Sequence, residues 1–305
     1  MHIAYLTHEY PPDTGKGGIG TYTAQMARII RRRRHQAEVF TASYHREGTE
    51  NEEGILTHRI KVKEIADFKH QIGQVFKQRH RIAPFDLLEC PELGGEAEYI
   101  KQQHPEIPLI VRLHTPAVLV TRLLNTYQPL GKKLRFVAGA LLRGRWDLGY
   151  WSRHDKNQHN DPDFRITSLA DRVSAPSEAM KHWATTFWQV PAEKIRQVPN
   201  PYEVPEEMSE LKYTKTHKRI TFLGRLNVLK GMVALTRAIP FVLRKHPGWQ
   251  FQFLGEDQPS HIPGISMKTW MQQELSSWQS QLQFTDWVDY ADLPTYLAQT
   301  DIMVI

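Results

Sequence analysis

The first 42 residues read MHIAYLTHEYPPDTGKGGIGTYTAQMARIIRRRRHQAEVFTA, and they decide the fold. Residues 2–6 form a short apolar run of strand length, and a polar loop with proline and glycine follows it. A helix is predicted from Ile19, because apolar residues then recur at helical spacing, and residues 38–42 form a second predicted strand. A strand, a helix and a second strand in this order indicate a parallel sheet.

The same alternation of strands and helices continues along the chain until residues 205–218, where Pro205 and mixed charge interrupt it. A new alternation starts at residue 219. The predicted fold class is therefore α/β, with two Rossmann-like doubly wound domains at residues 1–204 and 219–305, joined by a linker at residues 205–218. Ligands of such sheets bind outside the carboxyl ends of the strands.

The composition excludes several classes of protein. The chain has 305 residues, of which 40% are hydrophobic and 24% are charged, as is typical of a folded globular protein. The single cysteine, Cys90, forms no internal disulfide and suits a reducing compartment, so a cytoplasmic location is predicted. The longest apolar stretch, residues 136–142, is too short to span a bilayer, and no secretion signal is expected.

Charge is unevenly distributed along the chain, whose formal net charge is +6. Residues 101–150 hold eight basic and two acidic side chains, whereas residues 251–305 hold one basic and seven acidic side chains. Such segregation favours an anionic ligand or surface. Leu130–Trp151 mixes basic residues with leucines and tryptophans, so it either lies on the inner face of an anionic membrane as an amphipathic helix or packs on the protein's own core.

A glycine-rich loop lies between the first predicted strand and the first predicted helix. Gly15, Gly17 and Gly20 match the pattern G-x-G-x-x-G, and the bare N–H groups of a helix N-terminus favour an anion. The other interpretation is a turn that needs glycine at positive φ. A dinucleotide-dependent oxidoreductase is disfavoured, because the second strand ends in Thr41 and Ala42 instead of a ribose-binding acid.

A second glycine-containing turn follows the first predicted strand of the C-terminal domain. Residues 222–226 read FLGRL and place Gly224 and Arg225 just after that strand, and Lys230 starts the next predicted helix. Arg225 and Lys230 together suit a diphosphate, whose leaving charge grows as its bond breaks. The alternative is a pair of ordinary surface charges near a turn.

Other polar residues follow predicted strands as well. His114 comes directly after residues 109–113, and Glu89 and Glu92 flank Cys90 at the end of another strand. The histidine is either a structural or a site residue, and the two glutamates either line a site or lie in a solvated turn. The histidines show none of the known spacings of metal ligands, so neither a metal nor a cofactor is predicted.

A series of motifs resembles one known family in its order and spacing. They are PP (residues 11–12), GGIG (residues 17–20), RLHTP (residues 112–116), SAPSE (residues 174–178), VPNPY (residues 198–202), FLGRL (residues 222–226) and KG (residues 230–231). Over essentially its whole length the chain resembles the retaining glycosyltransferases of family 4, the group 1 glycosyltransferases. The resemblance implies the GT-B fold, in which two Rossmann-like domains face a cleft, and a nucleotide-diphosphate sugar as donor, with no bound metal.

The resemblance also implies a role for each domain and for particular residues. The N-terminal domain would lie on the acceptor side, and the C-terminal domain would bind the nucleotide sugar. Arg225 and Lys230 correspond to the pair that holds the donor diphosphate, and His114 to a histidine near the transferred sugar, so these three are the predicted catalytic residues. The predicted donor-binding residues are Gly17, Gly18, Gly224, Arg225 and Lys230. The implied acceptor is lipid-linked or a polysaccharide, and no nucleic-acid partner is predicted.

The resemblance stops at the end of the chain. In the family, the strand that corresponds to residues 301–305 is followed by a loop and a helix with two glutamates that contact the donor sugar and the ribose, and here the chain ends at Ile305. We therefore expect a truncated chain with an incomplete second domain, whose last strand exposes apolar side chains. A non-catalytic remnant or subunit of such an enzyme is accordingly the alternative to an active transferase.

Overall fold

The computed structural model describes residues 1–15, 17–127, 130–144, 158–204, 206–209, 211, 217–289 and 291–305. The chain forms two compact units, Met1–Val118 with Arg153–Glu203 and Leu119–Ser152 with Val204–Ile305. Each unit is a mixed α/β structure built on its own sheet, which confirms the predicted fold class. Among the described residues, no helix has both the length and the hydrophobicity that are needed to cross a bilayer.

Strands and helices alternate along most of the chain. The strands are β1 (His2–Leu6), β2 (Gln36–Ser43), β3 (Gly48–Glu52), β4 (Ile55–Lys61), β5 (Leu87–Pro91), β6 (Leu109–Arg112), β7 (Arg172–Ala175), β8 (Ile195–Gln197), β9 (Arg219–Leu223), β10 (Gln250–Leu254), β11 (Leu282–Thr285) and β12 (Ile302–Val304). The α-helices are α1 (Gly18–Arg32), α2 (Ile65–Ile82), α3 (Glu98–Gln103), α4 (Ala117–Thr126), α5 (Leu130–Leu142), α6 (Pro162–Leu169), α7 (Glu178–Phe187), α8 (Glu206–Ser209), α9 (Met232–Lys245), α10 (Met267–Glu274) and α11 (Leu293–Leu297).

The sheet of the first unit has the strand order β3-β4-β2-β1-β5-β6-β7-β8. Its pairs are parallel except β3 with β4, which is antiparallel. β1 and β2 are buried along almost their whole length, as expected for strands that are covered on both faces. The sequence does not predict β3, because its residues, GTENE, are polar and become a strand only by pairing with β4.

Helix α2 shows why the predicted helices form. Phe68, Ile72 and Phe76 recur every four residues and are fully buried in the core of the first unit. Burial of each such side chain stabilises the unit by roughly 1.5–3 kcal/mol. At the start of the helix, the Asp67 carboxylate accepts a hydrogen bond from the Glu64 N–H at 3.3 Å, which satisfies a donor near the helix start.

The sheet of the second unit has the strand order β11-β10-β9-β12, and its pairs are parallel. The rings of Phe222, Phe253 and Phe284 come from three neighbouring strands and pack in the core, with successive centroids 6.4 Å and 4.7 Å apart. In β12, Ile302 and Met303 are 47% and 43% exposed, which confirms that this strand exposes apolar side chains.

By their contacts, the described residues between 119 and 144 belong to the second unit, whereas the sequence predicts them within a domain at residues 1–204. Periodicity predicts a helix but does not tell which sheet the helix joins. In the predicted linker, residues 206–209 form the short helix α8. Residues 145–151 of the predicted amphipathic segment lie outside the described residues, and α5 accounts for most of the rest.

Candidate functional site

In the first unit, polar side chains gather at the edge of the sheet where the parallel strands end. β1, β5, β6 and β7 are neighbours in this sheet. Glu92 follows β5, His114 follows β6, and α1 after β1 contributes Tyr22. Because the carboxyl ends of parallel strands meet at one edge, residues far apart in sequence lie together there.

Tyr22, Glu89 and Arg112 form a compact group at this edge. The Tyr22 hydroxyl donates to Glu89 Oε1 at 2.7 Å, and the guanidinium carbon of Arg112 lies 4.7 Å from the centroid of the Tyr22 ring. Cys90 and His114 line a small cavity together with these three residues. Glu89 is buried, and burial raises the pKa of its carboxyl group. The interpretation of Glu89 as a residue of a solvated turn is therefore wrong.

Arg112 also fixes the segment that follows β8. Its guanidinium donates to Ser174 Oγ and to the carbonyl oxygen of Val198, each at 2.6 Å, and to Asn200 Oδ1 at 2.5 Å. Arg112 is only 1% exposed, so these hydrogen bonds compensate for the burial of its charge. Three of the sequence motifs therefore meet at one guanidinium group.

His114 lies against Tyr22 and Glu92. Its ring is edge-on to Tyr22 with centroids 5.3 Å apart, and its backbone N–H donates to both Glu92 carboxylate oxygens at 3.0 and 2.9 Å. Burial, with a smaller effect from the nearby Arg112 charge, lowers the pKa of His114 to about 4. The imidazole is therefore neutral at neutral pH, and one ring nitrogen donates while the other accepts.

Asp163 joins the loops after β5 and β6. Its two carboxylate oxygens accept hydrogen bonds from the backbone N–H groups of Gly94 and Ala117, each at 2.8 Å. Asp163 is 1% exposed. The sequence does not single out this residue, because its partners are backbone groups distant along the chain.

His8 and Glu96 form a second pair that the sequence analysis missed. Glu96 Oε2 accepts the His8 backbone N–H at 3.0 Å, and Glu96 Oε1 is hydrogen-bonded to His8 Nδ1. Burial opposes protonation of His8, but the hydrogen bond and charge of Glu96 raise its pKa overall. The sequence signal that could have indicated this pair is the series Glu89, Glu92 and Glu96, which begins inside β5 and continues beyond its carboxyl end, since carboxylates at strand ends are candidates for a site.

Positive φ does not explain the glycines in the loop before α1. Gly17 precedes α1 with φ −118° and ψ 179°, and no described glycine of this loop has positive φ. A Cβ at Gly17 would lie 2.5 Å from Glu9 Oε2, whereas a Cβ at Gly18 would meet nothing within 4 Å. Glu9 Oε2 is the end of a flexible side chain that can move, so this contact alone does not require glycine at position 17, whereas a Cβ at Gly20 would lie 2.8 Å from the backbone Cα of Gly15. Among the described residues, no side chain caps the start of α1.

His80, His104 and Glu106 lie at the opposite edge of the sheet, with ligand-type atoms within 4.8 Å of one another. His80 Nδ1 accepts the Phe85 backbone N–H at 3.0 Å. The neutral His80 ring therefore carries its proton on Nε2 and presents no free lone pair, so it is the wrong tautomer for a metal ligand. We assign no metal to this group.

In the second unit, two glycines approach each other where β9 and β10 end. Gly224 and Gly255 both have φ +144°, and the Gly224 N–H donates to the carbonyl oxygen of Leu254 at 2.9 Å. A Cβ at Gly255 would overlap the Gly224 carbonyl oxygen. The sequence predicted Gly224 as a binding residue but missed Gly255, although it also directly follows a strand.

Arg225 and Lys230 flank the short turn that follows Gly224. Asn227 Oδ1 accepts the Lys230 backbone N–H at 3.0 Å and fixes this turn. Both cationic side chains are exposed, and neither forms an ion pair with a described residue. Beside them, a cleft of about 240 Å³ is lined by residues 227–229, residues 258–261 and Leu124. The turn thus carries two exposed cations, and other residues of the same turn, but neither of these cations, line the cleft.

These features define an α/β protein with polar groups at the carboxyl ends of its parallel strands, where sheets of this class bind their ligands. Residues 17–201 match the family described as "Glycosyl transferase 4-like domain", and residues 217–305 match "Glycosyl transferases group 1". The chain therefore belongs to this glycosyltransferase family.

Known proteins of similar sequence and fold agree with this assignment. An uncharacterised glycosyltransferase of Methanocaldococcus jannaschii is 21% identical over 269 residues, which are 81% of this chain. The matched region spans 61% of the length of that curated relative.

Two solved structures share the fold. One is a glycosyltransferase from Rickettsia africae, with a TM-score of 0.59 and 12% identity over 99% of this chain and 72% of that one. The other is the catalytic domain of starch synthase IV from Arabidopsis thaliana bound to ADP and acarbose, with a TM-score of 0.60 and 14% identity over 99% of this chain and 77% of that one. They confirm the predicted GT-B fold.

Proposed function

We propose that the protein transfers a sugar from a nucleotide-diphosphate sugar to an acceptor hydroxyl, with retention at the anomeric carbon and without a bound metal, as in glycosyltransferase family 4. The observation that carries this proposal is the turn after β9. There, Arg225 and Lys230 are exposed at the carboxyl end of a parallel strand and have no ion-pair partner among the described residues.

Arg225 and Lys230 would hold the donor diphosphate. The bond between the sugar and the diphosphate breaks during transfer, and negative charge grows on the leaving phosphate. A guanidinium and an ammonium group form charge-assisted hydrogen bonds to phosphate oxygens and can stabilise this charge without a metal ion. Gly224 and Gly255 leave the strand ends bare, so a phosphate can approach the backbone closely. The ADP bound to the starch synthase of the same fold is consistent with such a ligand.

In the first unit, His114 and the glycine loop would contact the sugars. A neutral imidazole can donate to one sugar hydroxyl and accept from another, and the lowered pKa of His114 keeps it neutral during catalysis. Gly17 and Gly18 place the uncapped start of α1 at the carboxyl end of β1, where backbone N–H groups favour anions. The departing phosphate itself would assist the acceptor hydroxyl, so no separate protein base is assigned.

The proposed acceptor is a lipid-linked glycan or a polysaccharide, and the proposed location is the cytoplasm. The cytoplasm is reducing, which suits a protein whose single cysteine is buried and unpaired.

Binding and hydrolysis of donors test this proposal. Calorimetry with UDP, ADP and GDP in the presence of EDTA should detect one bound nucleoside diphosphate. A hydrolysis screen with the corresponding nucleotide sugars should then identify the donor, and proton NMR of the released sugar should show the retained anomer first. Binding without hydrolysis would favour the non-catalytic alternative, and no binding of any of the three would contradict the proposal.

A further inference from the structure

Helix α5 exposes apolar side chains along one face. Leu130, Leu134 and Leu141 are 70%, 59% and 50% exposed. Their spacings of four and seven residues place them along a single side of the helix, which we call the leucine face. Ala140, on another side, is buried. A helix on the surface of a globular protein normally turns its polar side to water, so the leucine face is unusual.

The sequence around the leucine face is basic. Residues 119–146 contain six arginines and lysines and no aspartate or glutamate. Arg135 on α5 and Arg143 just beyond its end are exposed. A segment of this composition attracts anionic surfaces and repels cationic ones.

The combination of leucines and cations favours one occupant. A second copy of the chain would bring two segments of the same positive charge together, which opposes pairing. An anionic bilayer offers hydrocarbon to the leucines and phosphate groups to the arginines. We propose that α5 docks on an anionic phospholipid bilayer, with the leucine face at the boundary between headgroups and acyl chains and with Arg135 and Arg143 at the phosphates. This docking does not depend on the proposed sugar transfer.

Co-sedimentation of the full chain with vesicles tests the docking. The protein should bind vesicles of phosphatidylglycerol and phosphatidylcholine, and it should not bind vesicles of phosphatidylcholine alone. The variant Leu130→Ser/Leu134→Ser should bind the anionic vesicles at least about tenfold more weakly, because it loses the apolar contribution. The variant Arg135→Glu/Arg143→Glu should lose the preference for anionic vesicles. All four side chains are exposed, so the variants should fold, which circular dichroism checks.

Matched controls distinguish docking through α5 from nonspecific hydrophobic adsorption and from a general effect of net charge. Ile82 and Leu169 are 77% and 42% exposed on other helices, so Ile82→Ser/Leu169→Ser should bind vesicles as the wild type does. Arg33→Glu/Arg81→Glu makes the same change of charge at two exposed arginines outside α5 and should also keep the binding. Equal losses in these controls would overturn the proposal.

A fluorescent label reports insertion directly. The only cysteine of the chain, Cys90, is buried, so a Leu134→Cys variant can be labelled selectively with an environment-sensitive fluorophore. Anionic vesicles should shift its emission to the blue. The proposal is wrong if no shift occurs, if binding to both kinds of vesicle is equally negligible, or if the leucine face instead mediates self-association that the Leu130→Ser/Leu134→Ser variant abolishes.

Discussion

The backbone N–H of His114 donates to both carboxylate oxygens of Glu92, at 3.0 and 2.9 Å, and so links the ends of two neighbouring strands. Glu92 has no exposed surface, and this burial raises the pKa of its carboxyl group to about 8. The folded protein therefore keeps a proton on Glu92 at pH values where the unfolded chain has released it.

This proton makes stability depend on pH. A raised native pKa means that the folded state binds more protons than the unfolded state between about pH 5 and about pH 8, so the free energy of unfolding falls as the pH rises through this range. We predict that Glu92→Gln removes part of this fall, because glutamine does not ionise. Urea unfolding across this range for the wild type and the variant measures the difference. As a control, Glu193→Gln at an exposed position should leave the pH dependence unchanged. The prediction is contradicted if the free energies of unfolding of the wild type and Glu92→Gln differ by the same amount at every pH.

Glu38 is the anionic centre of a buried cluster in the first unit. Its carboxylate accepts hydrogen bonds from His2 Nε2 at 2.9 Å, His58 Nε2 at 2.8 Å, and Arg79 Nη2 and Nε at 2.6 and 2.8 Å. Burial opposes its ionisation, but the hydrogen bonds from His58 and Arg79 prevail and lower the pKa of Glu38 to about 2.

We predict that Glu38→Gln lowers the free energy of unfolding by about 3–5 kcal/mol at neutral pH, because it leaves the Arg79 charge near a buried site without its anion. A lowered native pKa contributes stability that is present above about pH 4.5 and is lost as the pH falls towards 2, so the effect should shrink in acid. Denaturant unfolding measures it, with Glu47→Gln at an exposed position as control. A loss no larger than that of the control would show that the cluster contributes little.

Arg225 and Lys230 are predicted to carry the affinity for the nucleoside diphosphate. Each substitution, Arg225→Ala or Lys230→Ala, should weaken binding about 10- to 100-fold, because it removes a charge-assisted hydrogen bond to phosphate. Calorimetry with the diphosphate that the wild type binds best measures this. Arg33→Ala and Lys245→Ala remove exposed cations elsewhere and should change little. Unchanged binding in both test variants would remove these residues from the site.

Gly255 is predicted to be indispensable for the backbone arrangement around Gly224. A side chain at Gly255 would overlap the Gly224 carbonyl oxygen and would also be strained at φ +144°. Gly255→Ala should therefore displace the turn that carries Arg225, and it should weaken diphosphate binding and lower the free energy of unfolding. Gly264 has φ +80° with open space around its Cβ position, so Gly264→Ala should show only the smaller cost of backbone strain, about 1 kcal/mol. Equal effects of the two substitutions would exclude the steric explanation.

Several features of the site could be predicted from sequence because they are local. Gly224, Arg225 and Lys230 lie within seven residues after an apolar strand, and the structure places them around a single turn. The roles of Asp163, Glu96 and Gly255 could not be predicted in the same way. Asp163 acts on backbone groups of two distant loops, Glu96 acts on His8, and the effect of Gly255 exists only because β9 and β10 are neighbours.

By itself, the sequence determined the α/β class and the alternating order of strands and helices, because hydrophobic periodicity records which residues face a core. Only the tertiary structure decided that the polar segment β3 pairs with β4, that the described residues between 119 and 144 belong to the second unit, and that Glu89 and Glu92 are buried. The physical reason is that pairing, burial and the resulting pKa depend on neighbours supplied by distant parts of the chain, and periodicity contains no record of them.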